Sequence, residues 1–459
     1  MRIQIKMITA KRYKILNAWV CRIEGMEIIP QFGDLEIIDG IIGGFTERKY
    51  PDFKNTGAGD GIIDAGGRVA TVPLVNFHDH IYSRLAIGLP VTGTMGTFME
   101  ILENLWWRLD RSLDREMIAA CARLAMTESI RNGVTYLFDH HASPAAAPGS
   151  LSTIADILQT GALRAVLCYE TSDRNGELSA RQGFEENARF IREEGGKNIK
   201  GMLGLHAPFT LSDASLKVAG KLVRQFSTGI HIHLAEDRYE VEYSYETFGI
   251  SPVRRLLNQQ LLNDKSIIAH GVHLGPADLK LVAGSGSAIV LNPDSNLNNS
   301  VGLPNFASIP GEIPLLAGTD GMHASISRSL KQLFLLYRMQ GNGFDAAFAW
   351  IRKIYFDQVA FVRRWLPDFP GLCAGDRTDL ILWDYVPPTP VTSENFWGHF
   401  IYGILESPVH TVIQNGRPLM INHRLEKDLA VDAASVFRQG DKLFKSMHEN
   451  HGKTRNHRR

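Results

Sequence analysis

Between Thr71 and about Leu366, runs of strand-forming residues alternate eight times with helical segments. The runs are TVPLVNFHDH (71–80), VTYLFDHH (134–141), ALRAVLCYE (162–170), IKGMLGLHAPF (199–209), GIHIHLAE (229–236), SIIAHGVHL (266–274), AIVLNPDSN (288–296) and IPLLAGTD (313–320). Apolar runs separated by helices read as parallel strands with crossover connections. Eight such units predict an α/β fold, a closed (β/α)8 TIM barrel. Seven of the eight runs carry histidine or aspartate at or near their ends. Buried strands need no such groups for stability, and a barrel of this kind places its chemistry at the C-terminal ends of its strands.

The two ends of the chain have a different pattern. Residues 1–70 show short apolar runs and turns with no helical period, and GDRTDLILWDY and HTVIQNGRPL return to that pattern late in the sequence. We therefore expect a small discontinuous β-sandwich domain from 1–70 and 372–423, a barrel over 71–371, and a C-terminal helix with a basic tail over 424–459. The helix itself is expected near 424–447.

Several helices carry end signals. Ser251-Pro252 before VRRLLNQQLL is an N-cap followed by proline at the first helical position. DREMIAACARLAMTESIRNG places Ile118, Cys121, Ala122 and Ala125 on one face and stops at Gly133. FMEILENLWWRLD is amphipathic and bulky. It reads either as a lid over the barrel mouth or as a packed outer helix, with Trp106 assigned to packing.

His78 and His80 end the first run. Side chains two apart on a strand share a face, so these imidazoles can converge on one small cation, or they are two solvated loop histidines. His231 and His233 repeat the spacing on the fifth run, followed by Glu236. His206, His270 and Asp320 end the fourth run, the core of the sixth and the eighth. Asp139, His140 and His141 are consecutive polar residues at the second strand's end. Glu170, Asp173 and Arg174 follow the third. Arg174 suits a carboxylate, with a surface ion pair as the plainer reading.

Bulk composition narrows the partners. Lys+Arg and Asp+Glu are equal at 49 each, which gives no field for nucleic acid or a membrane surface. No apolar run approaches the ~20 residues of a membrane span. The N-terminus lacks the apolar core of a signal peptide. Four scattered cysteines, Cys21, Cys121, Cys168 and Cys373, fit a reducing compartment, so the expected location is cytoplasmic.

The ordered set H-x-H, H-A-P, H-x-x-E, A-H-x-V-H and G-T-D resembles the amidohydrolase superfamily in its deaminase and chlorohydrolase branch. WWRLD, DHHASP, ETSDRNG, NPDSNLNNSVG and the late WGH–YG segment are most similar to the SsnA-type aminohydrolases. The resemblance implies that His78, His80, His233 and Asp320 ligate a single divalent metal: zinc first, with iron or manganese as alternatives. It implies that Asp320 takes a proton from water, that Glu236 carries it to a ring nitrogen and the leaving group, and that His270 orients the attack. His206 matches a substrate contact; His141, Arg174 and Trp107 are further candidates. Two-metal members carry a lysine at the end of the fourth strand. Here that end reads LGLHAPF, and Lys200 stands at the strand's beginning.

The expected function is a mononuclear metal-dependent aminohydrolase (deaminase). It would act on a small nitrogen heterocycle such as a purine, a pyrimidine or a catabolite of either, and release ammonia. The alternatives are a chlorohydrolase or amide hydrolase using the same groups, and a non-catalytic scaffold. The partner is a small-molecule substrate, and superfamily habit adds a homo-oligomer.

Overall fold

The computed structural model describes residues 12–49, 61–91, 93–193, 196 and 198–455. The N-terminal stretch read for a signal peptide and the end of the basic tail lie largely outside them. Each of the eight runs contains a parallel strand. In order these are Leu74–Asp79, Val134–His141, Arg164–Tyr169, a pair of segments Ile199–Gly201 and Leu203–Leu205, Ile230–Leu234, Ile267–His270, Ala288–Leu291 and Leu315–Ala317. Almost every residue in them is buried, as expected of strands covered on both faces.

The break at Met202 divides the ring into a four-stranded and a five-stranded sheet. Two contacts join them. A parallel bridge pairs Thr171 with Leu205, and another pairs Asp79 with Asp320. At the second seam the amides of Thr319 and Asp320 donate to the His78 carbonyl at 3.0 and 2.9 Å. The seam that joins the first strand to the eighth thus also brings the His78 and Asp320 backbones together.

The strands are shorter than the runs that predicted them. In AIVLNPDSN the strand ends at Leu291, and Pro293–Asn298 is a short helix with proline at its first position. FMEILENLWWRLD is a composite: an α-turn at Phe98–Ile101, a π-helical stretch Leu102–Trp106, then Trp107–Ser112. π-turns of this kind recur at functional sites. The Ser251 cap and the helix Pro252–Asn258 form as read, with Ser251 accepting from the Arg254 amide.

Strands from both chain ends form a separate nine-stranded sheet. Its path runs Arg424–Leu425, Arg417–Ile421, Val409–Gln414, Leu380–Trp383, Val69–Thr71, Arg12–Glu24, Glu27–Ile38, Ile41–Glu47, with Ile62–Asp64 beside Arg12–Glu24. Val69–Thr71 pairs with Leu382 and Ile381 and then leads into the first barrel strand. The terminal helix spans Ala433–Arg455 rather than 424–447, because Arg424–Leu425 is still paired in the sheet. The four cysteines are free. Among the described residues no helix is long and apolar enough to cross a membrane.

Candidate active site and metal centre

Pleating and strand ends position the first four groups. His78 is the fifth residue of its strand, and His80 follows the strand's end. His233 lies in Ile230–Leu234, and Asp320 follows the eighth strand in a left-handed conformation at φ 54°. The bridging amides described above hold that conformation. His80 Nε2 lies 3.1 Å from His233 Nε2 and 3.1 Å from Asp320 Oδ1, and His78 Nε2 lies 3.5 Å from the same oxygen.

Backbone carbonyls hold two of the other ring nitrogens. His80 Nδ1–H donates to the His140 carbonyl at 2.6 Å, and His233 Nδ1–H donates to the His206 carbonyl at 2.9 Å. His78 Nδ1 pairs with His231 Nε2 at 2.8 Å, and its own Nε2 has no hydrogen-bond partner. Three Nε2 atoms and one carboxylate oxygen therefore face a common point. Two atoms each about 2.1 Å from one tetrahedral ion lie roughly 3.4 Å apart, close to the 3.1–3.5 Å spacings here. The donor set fits a divalent metal.

Electrostatics agree with that fit. Burial keeps His78 neutral, with its pKa lowered to about 3, and holds His233 well below the usual imidazole value. For His80, burial is outweighed by the hydrogen bond and charge of Asp320, so its pKa rises to about 9. Asp320 is depressed well below the carboxylate range: the imidazoles of His78 and His80 facing it overcome its burial.

Two overlapping buried groups have ligand atoms within 4.8 Å of one another: His78, His233, His270 and Asp320, and His80, His140, Glu170 and His233. His270 and His140 are the less suitable members. His270 Nε2 faces the other oxygen of Asp320, Oδ2, at 3.8 Å and Glu236 Oε2 at 3.5 Å. His140 Nε2 is taken up by the carbonyls of Leu205 and His231, both at 3.1 Å.

Glu236 follows the fifth strand and lines the same cavity as His80, His233 and Asp320. Burial raises its pKa. The turn that carries it is unusual, since Ala235 sits at φ 50°. Glu240 holds that turn: its carboxylate accepts from the amides of Glu236 at 2.7 Å, Ala235 at 3.2 Å and Asp237 at 3.3 Å. Burial, then the neighbouring charge of Glu236, lifts Glu240 to about 8.

The opposite wall is a charge network. Glu170 Oε1 accepts from Arg174 at 3.0 Å, Glu170 Oε2 lies 3.2 Å from His140 Nδ1, and Arg174 also pairs with Asp110. Arg174 side-chain exposure is 8%, so this is neither a surface ion pair nor a guanidinium free for a carboxylate. Glu170 is held well below the usual range: His206, Arg174 and His140 outweigh its burial. Burial raises Asp110 to about 6. Trp107 stacks near Arg174, with 5.3 Å from Cζ to the ring centroid, and both line the cavity with His206. Trp106 packs against the main core and also lines the cavity, so the composite helix roofs the site.

His141 does not reach this cavity. As His140's neighbour on the strand it points to the opposite face, where its Nε2 pairs with Ser143 Oγ at 2.8 Å. His231 supports His78 from beneath, and His273 and His323 bond to the Val301 carbonyl and to Asp294. Lys200 lies at the N-terminal end of the fourth strand, away from His206. Sequence reading missed Asp110, Glu240 and Asn299 on the cavity wall. Glu240 had a legible signal, an acid four residues after Glu236 at a helix start.

The chain belongs to the amidohydrolase family, whose model matches residues 70–356. It is 28% identical over 453 residues to a 5-methylthioadenosine/S-adenosylhomocysteine deaminase of Desulforudis audaxviator (strain MP104C), covering 95% of this chain and 99% of that protein. It is 26% identical over 408 residues to a 5'-deoxyadenosine deaminase of Methanobrevibacter smithii, covering 85% and 89%. Among solved structures, it resembles an adenosine deaminase from Xanthomonas campestris with bound zinc, at TM-score 0.75 and 20% identity over 95% of this chain and 98% of that one. It also resembles an atrazine chlorohydrolase from Arthrobacter aurescens TC1 complexed with zinc, at TM-score 0.76 and 17% identity over 94% and 100%. These two likenesses concern the fold.

Proposed function

We propose that this protein is a metal-dependent aminohydrolase that replaces the amino group on a ring carbon of a small nitrogen heterocycle with oxygen and releases ammonia. Adenine-type rings come first, because the two relatives described above are named as deaminases of adenosine derivatives. The observation that carries the proposal is the convergence of three Nε2 atoms and Asp320 Oδ1, with Glu236 and His270 beside them.

His78, His80, His233 and Asp320 would hold one metal, for which zinc is the first candidate. When bound, it supplies Lewis acidity that brings the pKa of water in the site towards neutrality. Asp320 accepts a proton from the attacking water. Glu236, with its raised pKa, carries a proton to the ring nitrogen and then to the departing amine. His270 Nε2 lies within reach of both carboxylates and steadies the oxygen as it adds. The new bond is C–O and the broken bond is C–N. One water proton ends on the ring and the other on ammonia.

His206, Trp107 and the Glu170–Arg174–Asp110 network form the wall that would face the ring. Trp107 Nε1 is buried without a hydrogen-bond partner and offers a donor to it. His141 plays no direct part in this reading.

An ammonia-release screen of metal-analysed protein over adenosine derivatives, free purines and pyrimidines, and chlorinated rings tests the proposal. Ammonia from at least one amino-substituted ring supports it. Chloride release with no ammonia would transfer the site to the rival leaving group. Neither product from fully metal-loaded protein would reject catalysis on these rings.

A further inference from the structure

We propose that one turn after the seventh strand, Ser295–Asn299, positions all three proton-handling groups of the site. The inference rests on the roles assigned above to Asp320, His270 and Glu236.

Three side chains of this turn reach three different elements. Ser295 Oγ–H donates to Asp320 Oδ2 at 2.5 Å. Asn296 Oδ1 accepts from His270 Nδ1–H at 2.8 Å. Asn299 Nδ2–H donates to Glu236 Oε1 at 3.3 Å and to Ser295 Oγ at 3.3 Å. Asp320, His270 and Glu236 follow or end the eighth, sixth and fifth strands; the fifth and sixth are paired with each other, and the eighth pairs with neither of them.

Each contact sets a chemical property. A hydroxyl donor on Oδ2 leaves Oδ1 directed at His78 and His80. An amide oxygen can only accept, so Asn296 keeps the hydrogen on His270 Nδ1 and aims Nε2 at the two carboxylates. Asn299 holds one Glu236 oxygen, leaving the other beside His270. The turn is itself fixed: Asn299 and Val301 amides donate to the Ser295 and Asn296 carbonyls at 2.8 and 3.2 Å, and Ser295 and Asn296 are each 2% exposed. Ser295, Asn296 and Asn299 are therefore positioning residues. None of them touches the reacting atoms by this reading.

The test uses holoprotein and four variants: Ser295→Ala, Asn296→Leu, Asn296→Asp and Asn299→Ala. Partners that orient ligands are typically worth 10–100-fold in metal affinity or activity. We expect Ser295→Ala to lose about 10–100-fold in zinc affinity, measured by competition with a chromogenic chelator, a readout that needs no turnover. Asn296→Leu and Asn299→Ala should lower kcat by about 10–100-fold with KM unchanged. Asn296→Asp, which keeps an acceptor at Nδ1–H, should recover most of kcat. Asn299 is partly exposed, so its variant folds even if a buried one does not.

Wild-type kcat and zinc affinity across all four variants would overturn the proposal. So would a loss of kcat in Asn296→Leu that Asn296→Asp fails to restore, because a merely structural role predicts no such rescue. Wild-type protein inactive on every ring would reject the proposed function instead, and the chelator measurement on Ser295→Ala would still decide the tether.

Discussion

His80 Nε2 and His233 Nε2 stand 3.1 Å apart and both face inward, because each ring spends its Nδ1–H on a backbone carbonyl. Two acceptors at that distance repel unless a proton or a cation lies between them. The carbonyls of His140 and His206 thus preorganise a cation site before any ion arrives.

The first expected outcome follows from that pair. His233→Ala removes one of four converging donors and should leave the purified protein with little metal and no turnover. Elemental analysis checks it; full metal content in the variant would contradict the ligand set.

Glu236 lies outside that donor set. Glu236→Gln should retain the metal and lower kcat by about 10²–10⁴-fold, the usual weight of general acid–base catalysis. Steady-state kinetics at matched metal content measure this, and an unchanged rate would remove Glu236 from proton transfer.

Metal uptake should release protons. In the metal-free protein His80 is held protonated up to about pH 9 by Asp320. Binding at pH 7 must displace that proton, so about one proton leaves per ion. Affinity should rise roughly tenfold per pH unit until about 9 and then level off. Calorimetry in two buffers of different ionisation enthalpy gives the proton count.

Arg174 balances two buried carboxylates, Glu170 and Asp110. Arg174→Met would take the guanidinium from both, leaving Glu170 only its histidine neighbours. We expect a loss of about 3–5 kcal/mol in denaturant unfolding, the cost of leaving buried charge unpaired. A loss under 1 kcal/mol would mean that the network relaxes by taking up protons.

Glu240 gives a pH signature. Its folded pKa of about 8 lies above the ordinary 4.5. The protonated form is favoured in the fold, so its contribution is fully present below about 4.5 and is lost as pH rises towards 8, by a few kcal/mol. In metal-free protein, Glu240→Gln should flatten the fall in melting temperature between pH 5 and 8. An identical slope in both proteins would show that Glu240 ionises freely.

The barrel was legible because strand and helix periods are local. The H-x-H spacing was enough to put His78 and His80 on one face, and the order of motifs along the chain named Asp320 and Glu236. Local pattern failed where partners are remote. His140 and His141 look equivalent in sequence, but alternation sends only His140 towards the cluster. Arg174 looked like a surface cation because Asp110, its partner 64 residues upstream, carries no signal of its own. Residues 292–296 read as strand because the apolar run leads into them, whereas Pro293 starts a helix there.

The nine-stranded sheet has a consequence for biosynthesis. The edge presented by Val69–Thr71 is filled by Leu380–Trp383, and Trp383 meets Thr71 across 312 residues of sequence. At roughly 5–20 residues per second, a ribosome leaves that edge uncovered for about 15–60 s. During that interval the nascent chain displays an open β-edge to its neighbours, so slower elongation or fewer chaperones should cost soluble yield before either affects the finished molecule.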